Sequence, residues 1–372
     1  MRAASLIVAG LLSARAALAA SGVADATVTI TPLGSPDGEF CVLDRALVFE
    51  DPDGTRILYD PGRTVRGPDD SRLGKVDAVL LSHVHFDHLG DRIQPAANAG
   101  TCDRPEFPVS VTPNSNLVNI AVGKEAKLIV GGEMSTLFSR KVAVAGGDPA
   151  QLRLLRFGAM TKVGGVAVAS VPAVHSNGLA PAFLEKEHAE VLSANGLTAY
   201  VGPPGGYVLR FSNGLTAYLS GDTGITAEQD LVVRQHYGAN LAVLNIGGTF
   251  TTGPLEAAYV INELVKPASV IPSHANERAT QLGQLRPGTR TQTFVEAVKV
   301  PAHLPLSGRA MKFDGKGTCV SGCERGRDRA GGPDRPPAPR ARSDRSRRPG
   351  LPAPDGSVRA GPGAPGQPRP AC

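Results

Sequence analysis

The 372-residue chain contains no Trp, and only 5% of its residues are aromatic. Val, Leu, Ile and Ala must therefore fill most of its core. Cysteine is also scarce, and the five cysteines lack the paired spacing of a zinc ribbon. Their pattern leaves two possibilities open: disulfides such as Cys41–Cys102 or Cys319–Cys323, or scattered free thiols.

The sequence lacks the long apolar runs that a membrane anchor requires, and its one notable apolar run, near the N-terminus, is short. Arg2 precedes an apolar run over residues 3–12, and Ala17-Leu18-Ala19 follows as a small-residue cleavage site. This order is typical of a secretory signal peptide, here residues 1–19, although a buried N-terminal helix would give a similar pattern. We expect an exported protein, periplasmic or secreted, without a stable membrane anchor.

Most of the chain also lacks an excess of basic charge, although the formal net charge is +5. Residues 324–372 contain 11 Arg and 5 acidic residues, whereas the remaining 323 residues contain 28 basic and 29 acidic residues. A near-neutral body does not present the basic groove that nucleic acid binding requires. We therefore expect no nucleic acid partner.

The composition changes at about Gly315, where Pro, Gly, Arg and Ala become dominant. Such a segment buries too little apolar surface to offset its ordering entropy, so residues 315–372 are predicted to form a disordered tail. An Arg-rich interaction arm, or translation past the natural end of a GC-rich gene, would give the same composition. Residues 20–314 are then expected to form a single domain.

Within that domain, strand-like and helix-like patterns alternate. The strand patterns cover residues 27–33, 41–50, 56–59, 76–82, 207–211, 216–219, 241–246 and 269–272. Helical patterns lie near residues 227–236, 254–265 and 291–298. The run over residues 76–82 is continuously apolar, which indicates a strand buried on both faces. The alternation favours an α/β architecture of sheets covered by helices.

The most informative segment follows the apolar run directly and reads SHVHFDH over residues 82–88. Strand alternation places His83 and His85 on the same side as the chain leaves the sheet. A tight turn can then return Asp87 and His88 to a neighbouring point. Imidazole and carboxylate groups at this density suit borderline-soft cations, so the segment predicts two adjacent metal sites.

The sequence HVHFDH resembles the HxHxDH signature of the metallo-β-lactamase superfamily. The resemblance to that family extends across residues 26–314. Further segments follow in that family's order: ILYDP at 57–61, SVPAVHS at 170–176, YLSGDT at 218–223 and VIPSH at 270–274. The resemblance implies an α/β fold of four-layer αββα type in a single domain. The segment GGTFTTGP at 247–254 is similar to predicted metal-dependent hydrolases related to the ascorbate-phosphate lactonase type.

Carried over residue by residue, the resemblance implies two divalent metal ions, with Zn²⁺ favoured and Mn²⁺ or Fe as alternatives. One ion would be held by His83, His85 and His175, the other by Asp87, His88 and His274, and both by Asp222. Asp60 would support a ligand from behind. The predicted catalytic residues are Asp222 and Asp87, the latter because it could accept a proton beside the bridging solvent.

The implied activity is hydrolysis of an ester, lactone or phosphoester bond in a small-molecule substrate, by a hydroxide that bridges the two ions. Two alternatives are an exported zinc β-lactamase and a non-catalytic metal- or ligand-binding protein on the same fold. Asp222 argues against the first, since β-lactamases resembling this fold usually carry another residue at the bridging position. The intact ligand set argues against the second. The oligomeric state cannot be predicted from the sequence.

Three histidines lie outside the ligand pattern. His188 belongs to an insertion over residues 176–206 that could fold over the metals. One interpretation is therefore that His188 contacts the substrate. His236 and His303 are expected to be structural.

Overall fold

The computed structural model describes residues 26–112 and 114–323, so the predicted signal peptide and residues 324–372 of the predicted tail lie outside the described residues. The strands are β1 (Val28–Pro32), β2 (Leu47–Glu50), β3 (Arg56–Tyr59), β4 (Ala78–Leu80), β5 (Arg92–Ile93), β6 (Val109–Ser110), β7 (Lys127–Val130), β8 (Leu152–Leu154), β9 (Met160–Val163), β10 (Val166–Pro172), β11 (Gly178–Leu179), β12 (Ala199–Tyr200), β13 (Gly205–Arg210), β14 (Thr216–Leu219), β15 (Leu241–Asn245), β16 (Ser269–Ser273), β17 (Thr280–Gln281), β18 (Gln284–Leu285), β19 (Met311–Phe313) and β20 (Cys319–Ser321).

The α-helices are α1 (Phe86–Leu89), α2 (Asn116–Gly123), α3 (Met134–Val144), α4 (Lys186–Ala194), α5 (Pro254–Tyr259) and α6 (Arg290–Ala297). Two segments, Gln229–His236 and Val260–Val265, are π-helical, and two short 3₁₀ turns cover Pro149–Gln151 and Pro181–Phe183. Within the described residues, no helix combines the length and the apolar character that a membrane span needs.

Two large sheets form the centre of the fold. One has eight strands in the order β20-β19-β1-β2-β3-β4-β7-β8, and the other has six in the order β16-β15-β14-β13-β10-β9. Strands β3, β4, β7 and β8 are mutually parallel, as are β14, β15 and β16. The carboxyl ends of each parallel set meet at one edge of its sheet, where functional side chains of α/β proteins are commonly placed.

Strand alternation divides the apolar side chains among three layers of core. In β15, Leu241 and Val243 pack between the two sheets, whereas Ala242 and Leu244 pack on the opposite face with the helices that follow. Helices α2 and α3 cover the outer face of the eight-stranded sheet in the same way. The arrangement is helix, sheet, sheet, helix, which confirms the four-layer αββα fold that the family resemblance implied.

The folded region extends past the predicted domain end at residue 314. Strand β20 pairs antiparallel with β19, with Lys312 opposite Ser321, and a disulfide joins Cys319 to Cys323. The Gly-rich turn before β20 gives the segment a tail-like composition, although Asp314 N–H bonds to the Thr318 carbonyl at 3.0 Å and closes the hairpin. This corrects the predicted boundary, since at least the residues up to Cys323 belong to the domain.

The predicted strand over residues 41–50 is shorter in the structure, where β2 begins at Leu47. Before it, the buried Asp44 carboxylate accepts the backbone N–H groups of Ser35 and Cys41, each at 2.9 Å, and bends the chain away from the sheet. Cys41 is disulfide-bonded to Cys102, so both cysteine pairs that the sequence left open are joined.

A tyrosine hydroxyl links the two sheets inside the core. Buried Tyr207 of β13 donates to the carbonyl oxygen of Leu81 at 2.7 Å and lies 3.2 Å from that of Ile129. Ile129 lies in β7 of the eight-stranded sheet, and Leu81 directly follows β4 of the same sheet. This bond therefore fixes the second sheet against the chain segment that leads to His83.

The substitution Tyr207→Phe should lower the free energy of unfolding by about 1–3 kcal/mol, because the Leu81 carbonyl would lose a donor that water cannot replace in the core. Urea denaturation of the metal-free protein measures the difference. Tyr200→Phe is the matched control, since the Tyr200 side chain is exposed. Equal unfolding free energies for the two variants would contradict the assigned role of this hydroxyl.

Candidate metal centre

The first half of the predicted ligand set lies where β4 leaves the eight-stranded sheet. His83 follows the strand, and His85 directly precedes helix α1. The first hydrogen bond of this helix runs from the His88 N–H to the His85 carbonyl at 3.0 Å. This single helical turn carries Asp87 and His88 back beside His83. The tight turn that the sequence suggested is thus the four-residue helix α1.

The second half comes from the six-stranded sheet. His175 follows β10, Asp222 follows β14, and His274 follows β16 directly. These strands run in the same direction, so their carboxyl ends bring the three side chains to the edge that faces β4. His274 has a positive φ of 50°, an uncommon backbone conformation for a non-glycine residue that turns its ring into the cleft.

All seven predicted ligands come together in two groups. Within each group, one ligand atom per residue lies within 4.8 Å of every other: His83, His85, His175 and Asp222 form the first group, and Asp87, His88 and His274 form the second. Asp222 Oδ2 lies 2.9 Å from His274 Nε2 and 3.6 Å from His175 Nε2. The Asp222 carboxylate therefore lies between the two groups.

The donor atoms fit divalent cations. In the part of the chain that the structure describes, His88 Nε2 and Asp222 Oδ1 are buried and lie 3.3 Å apart, and neither atom makes a hydrogen bond of good geometry. In the first group, His85 Nδ1 lies 3.0 Å from His83 Nε2 and 3.2 Å from His175 Nε2. Ring nitrogens that converge in this way suit a shared cation, and imidazole nitrogen with carboxylate oxygen is a donor set that suits zinc and other divalent transition metals.

Asp60 holds the centre from behind. Its Oδ2 accepts from Ser82 Oγ at 2.7 Å and lies 2.8 Å from His88 Nδ1, and its Oδ1 accepts the Ser82 N–H at 2.9 Å. A carboxylate on Nδ1 leaves Nε2 of the same ring to face the cleft. The support that the sequence assigned to Asp60 therefore falls on His88.

Burial and neighbouring charge set the protonation of the ligands in opposite directions. Burial, reinforced by nearby imidazoles, lowers the pKa of His83 well below its usual value and that of His85 to about 4. Burial acts the same way on His88, but the carboxylates of Asp222, Asp87 and Asp60 outweigh it and raise its pKa to about 10. The first group thus presents neutral imidazoles, whereas His88 of the second group would have to lose its proton to act as a metal ligand.

The two carboxylates of the centre are held ionised. Burial tends to raise their pKa values, yet His88 and His274 together keep the pKa of Asp87 and of Asp222 well below the usual range. Arg45 adds to this effect at Asp87. Both carboxylates are therefore in the form that binds cations.

Several polar residues around the centre were not assigned a role from the sequence. Arg45 donates to Asp87 and to Asn276, and Asn177 Oδ1 accepts the Val84 N–H at 2.8 Å. Asn177 also donates to the Gly202 carbonyl, which ties the base of the 176–206 insertion to the HxHxDH segment. An Asn and an Arg in loops give no periodic signal, so only the tertiary structure identifies them.

The three remaining histidines lie outside both groups. His188 is exposed on α4, at the surface of the insertion. His236 packs its ring against Tyr237, and buried His303 packs against Phe313, with ring centroids 4.6 and 5.6 Å apart. His236 is exposed, whereas His303 is buried, so burial agrees with a structural role for His303 alone.

Comparison with known proteins points the same way as the geometry. Residues 55–275 match the family model described as a beta-lactamase superfamily domain. A UPF0173 metal-dependent hydrolase of Polynucleobacter asymbioticus is 30% identical over 244 residues, which cover 63% of this chain and 72% of that protein. Another, from Koribacter versatilis, is 28% identical over 226 residues, covering 60% of this chain and 77% of that protein.

The fold also has solved counterparts. The structure of Igni18, a metallo hydrolase from the archaeon Ignicoccus hospitalis, superposes with a TM-score of 0.50 at 21% sequence identity. The superposition covers 77% of this chain and 99% of that one. This likeness supports the fold.

The substitution Asp60→Asn should weaken metal binding by roughly 10- to 100-fold, because the His88 ring would lose the carboxylate that orients it and makes it a stronger donor. Competition with a chromophoric chelator measures the affinity. Asp70→Asn is the control, since Asp70 is a buried carboxylate paired with Arg72. Equal metal affinities in the two variants would contradict the assignment of Asp60.

Proposed function

Because the chain belongs to the metallo-β-lactamase superfamily as a metal-dependent hydrolase, we propose that it uses two divalent cations to hydrolyse an ester, lactone or phosphoester bond of a small molecule. The observation that carries this proposal is the position of Asp222, with oxygen atoms facing both ligand groups. His83, His85 and His175 would hold one cation, Asp87, His88 and His274 the other, and Asp222 both. Zn²⁺ suits these donors, with Mn²⁺ or Fe as alternatives.

When bound, the cations would lower the pKa of a water molecule and stabilise the negative charge that develops on the substrate. The residues of the chain have separate tasks. Asp87, whose side chain is 13% exposed against 3% for Asp222, is the carboxylate that the cleft reaches more easily. It would accept the hydrogen bond, and transiently the proton, of the attacking water.

The arrangement favours acyl or phosphoryl transfer to water over nucleophilic catalysis by a side chain. Ser82, the hydroxyl within the ligand segment, is buried and its Oγ is engaged with Asp60 and the His83 ring at 2.7 and 3.0 Å. Water is then the nucleophile. No catalytic Ser or Cys is needed for the proposed reaction.

Asp222→Asn should reduce turnover by more than the roughly 10- to 100-fold that loss of an outer partner costs, because the amide keeps the shape of the carboxylate without its charge. The test supplies the full chain with Zn²⁺ or Mn²⁺ and offers a lactone, a phosphodiester and a β-lactam side by side. Asp148→Ala, at an exposed turn, is the control.

Hydrolysis of the lactone or the phosphodiester, lost in Asp222→Asn and kept in Asp148→Ala, would support the proposal and identify the bond type. Hydrolysis of the β-lactam alone would favour the exported β-lactamase instead. Bound metal without turnover of any of the three would favour the non-catalytic binding protein.

We also propose that the protein acts outside the cytoplasm. The N-terminal pattern over residues 1–19 supports export, and so do the disulfides Cys41–Cys102 and Cys319–Cys323, since disulfides persist in oxidising compartments. N-terminal sequencing of the protein recovered from the periplasm or medium should begin at Ala20. Recovery from the cytosol with Met1 retained would contradict this localisation.

A further inference from the structure

A buried positive charge lies directly beside one of the two ligand groups. The Arg45 side chain is only 2% exposed and lies in the segment that Asp44 bends before β2. Its Nη1 donates to the carbonyls of Val42 and Asp44, both at 3.1 Å. Its Nε and Nη2 donate to Asp87 Oδ2 at 3.3 and 3.1 Å, so the guanidinium has a fixed position.

The oxygen that Arg45 holds is the one that faces the ligand cluster. Asp87 Oδ2 also lies 3.4 Å from His274 Nε2 and 3.7 Å from His88 Nε2. A cation bound by these three side chains would share this oxygen with two N–H groups of a guanidinium. Each hydrogen bond occupies electron density that the oxygen would otherwise give to the metal, and the like charges repel.

Arg45 also connects the two loops that carry the ligands of this group. Its Nη2 donates to Asn276 Oδ1 at 2.9 Å, and Asn276 lies two residues beyond His274. Asn276 has a positive φ of 54°, a conformation that Asn tolerates better than most residues. One guanidinium thus fixes Asp87 from the first sheet and the His274 loop from the second.

The first ligand group is placed differently. The ion pairs of Asp222 are with His83, His88, His175 and His274, and the described ion pair of Arg45 is with Asp87. The electrostatic effect of Arg45 therefore falls mainly on one of two neighbouring groups.

We infer that Arg45 is a positioning residue that makes the Asp87–His88–His274 group the weaker of two cation sites, so that the cations load in sequence and the second is exchangeable. This inference rests on the proposed dinuclear function. Arg45 lowers the affinity of the second site while keeping its ligands in place. The protein then holds one cation firmly and gains the second only when the metal supply is sufficient.

The test is a calorimetric titration of the metal-free full chain with Zn²⁺ alone, with metal content checked by mass spectrometry. Wild type should show two steps of unequal affinity. Arg45→Met, which keeps much of the buried stem without the charge, should lower the Kd of the second step by roughly 10- to 100-fold, because the cation would no longer be repelled by a buried positive charge at short range. The first step should stay unchanged. Arg45→Lys, which keeps the charge but not the planar fork, should lower it less.

Arg72→Met is the matched control. Arg72 is also a largely buried arginine that pairs with a carboxylate, Asp70, and donates to the Gly34 and Thr64 carbonyls and to Asn98. Its loss removes a comparable structural network away from the ligand cluster. Both steps of the titration should stay as in wild type.

A second step that is unchanged or weaker in Arg45→Met would overturn the inference, as would a single affinity for both cations in wild type. If Arg45→Met does not fold, Arg45→Lys decides, since an unchanged or weaker second step there also overturns the inference. Failure of the proposed function looks different. If the proposed metal centre is wrong, wild type would bind no Zn²⁺ in either step; if only the proposed hydrolysis is wrong, both steps would appear as expected and turnover alone would be absent.

Discussion

Concentration of buried carboxylates in the cleft between the two sheets imposes an electrostatic constraint on the centre. Asp60, Asp87 and Asp222 are all ionisable groups with little or no access to water. Burying such charges is costly unless positive charge or hydrogen-bond donors compensate them. In the metal-free protein that compensation comes from Arg45 and from the protonated ring of His88. Bound cations would take over the same task, which explains why histidines and carboxylates can occupy a position that otherwise suits apolar residues.

A second, steric constraint acts on the backbone beneath the ligands, where the two sheets approach each other closely. The Gly221 N–H donates to the Tyr59 hydroxyl at 3.0 Å, and the Gly205 N–H donates to the Ser82 carbonyl at 3.1 Å. Gly221 has a positive φ of 59°, and a Cβ there would lie 2.7 Å from the Gly205 carbonyl oxygen and 2.9 Å from Ser82 Cβ. Only glycine fits this contact, so the residue before Asp222 is set by the distance between the sheets.

Local patterns predicted sheets covered by helices and the cluster of metal-ligating residues at 83–88, because both are read along a short stretch of chain. The four-layer arrangement and the addition of His175, Asp222 and His274 to the same centre were implied by the family resemblance. In the structure these residues meet because parallel strands end at a common edge. Arg45 could not be identified in this way, because its partners Asp87 and Asn276 lie 42 and 231 positions away. Strand β20 was missed for a related reason: three residues after a Gly-rich turn carry no periodic signal, and pairing with β19 alone makes them a strand.

Division of each ligand group between the two sheets has a consequence for the order of assembly during synthesis. The chain up to Leu154 contains His83, His85, Asp87 and His88. The first group is incomplete without His175 and Asp222, and the second is incomplete without His274. The eight-stranded sheet itself waits for β19 and β20, which come from the last described residues. A nascent or truncated chain would therefore lack part of each ligand group. If the proposed cations bind, metal content would report that both sheets have formed and docked.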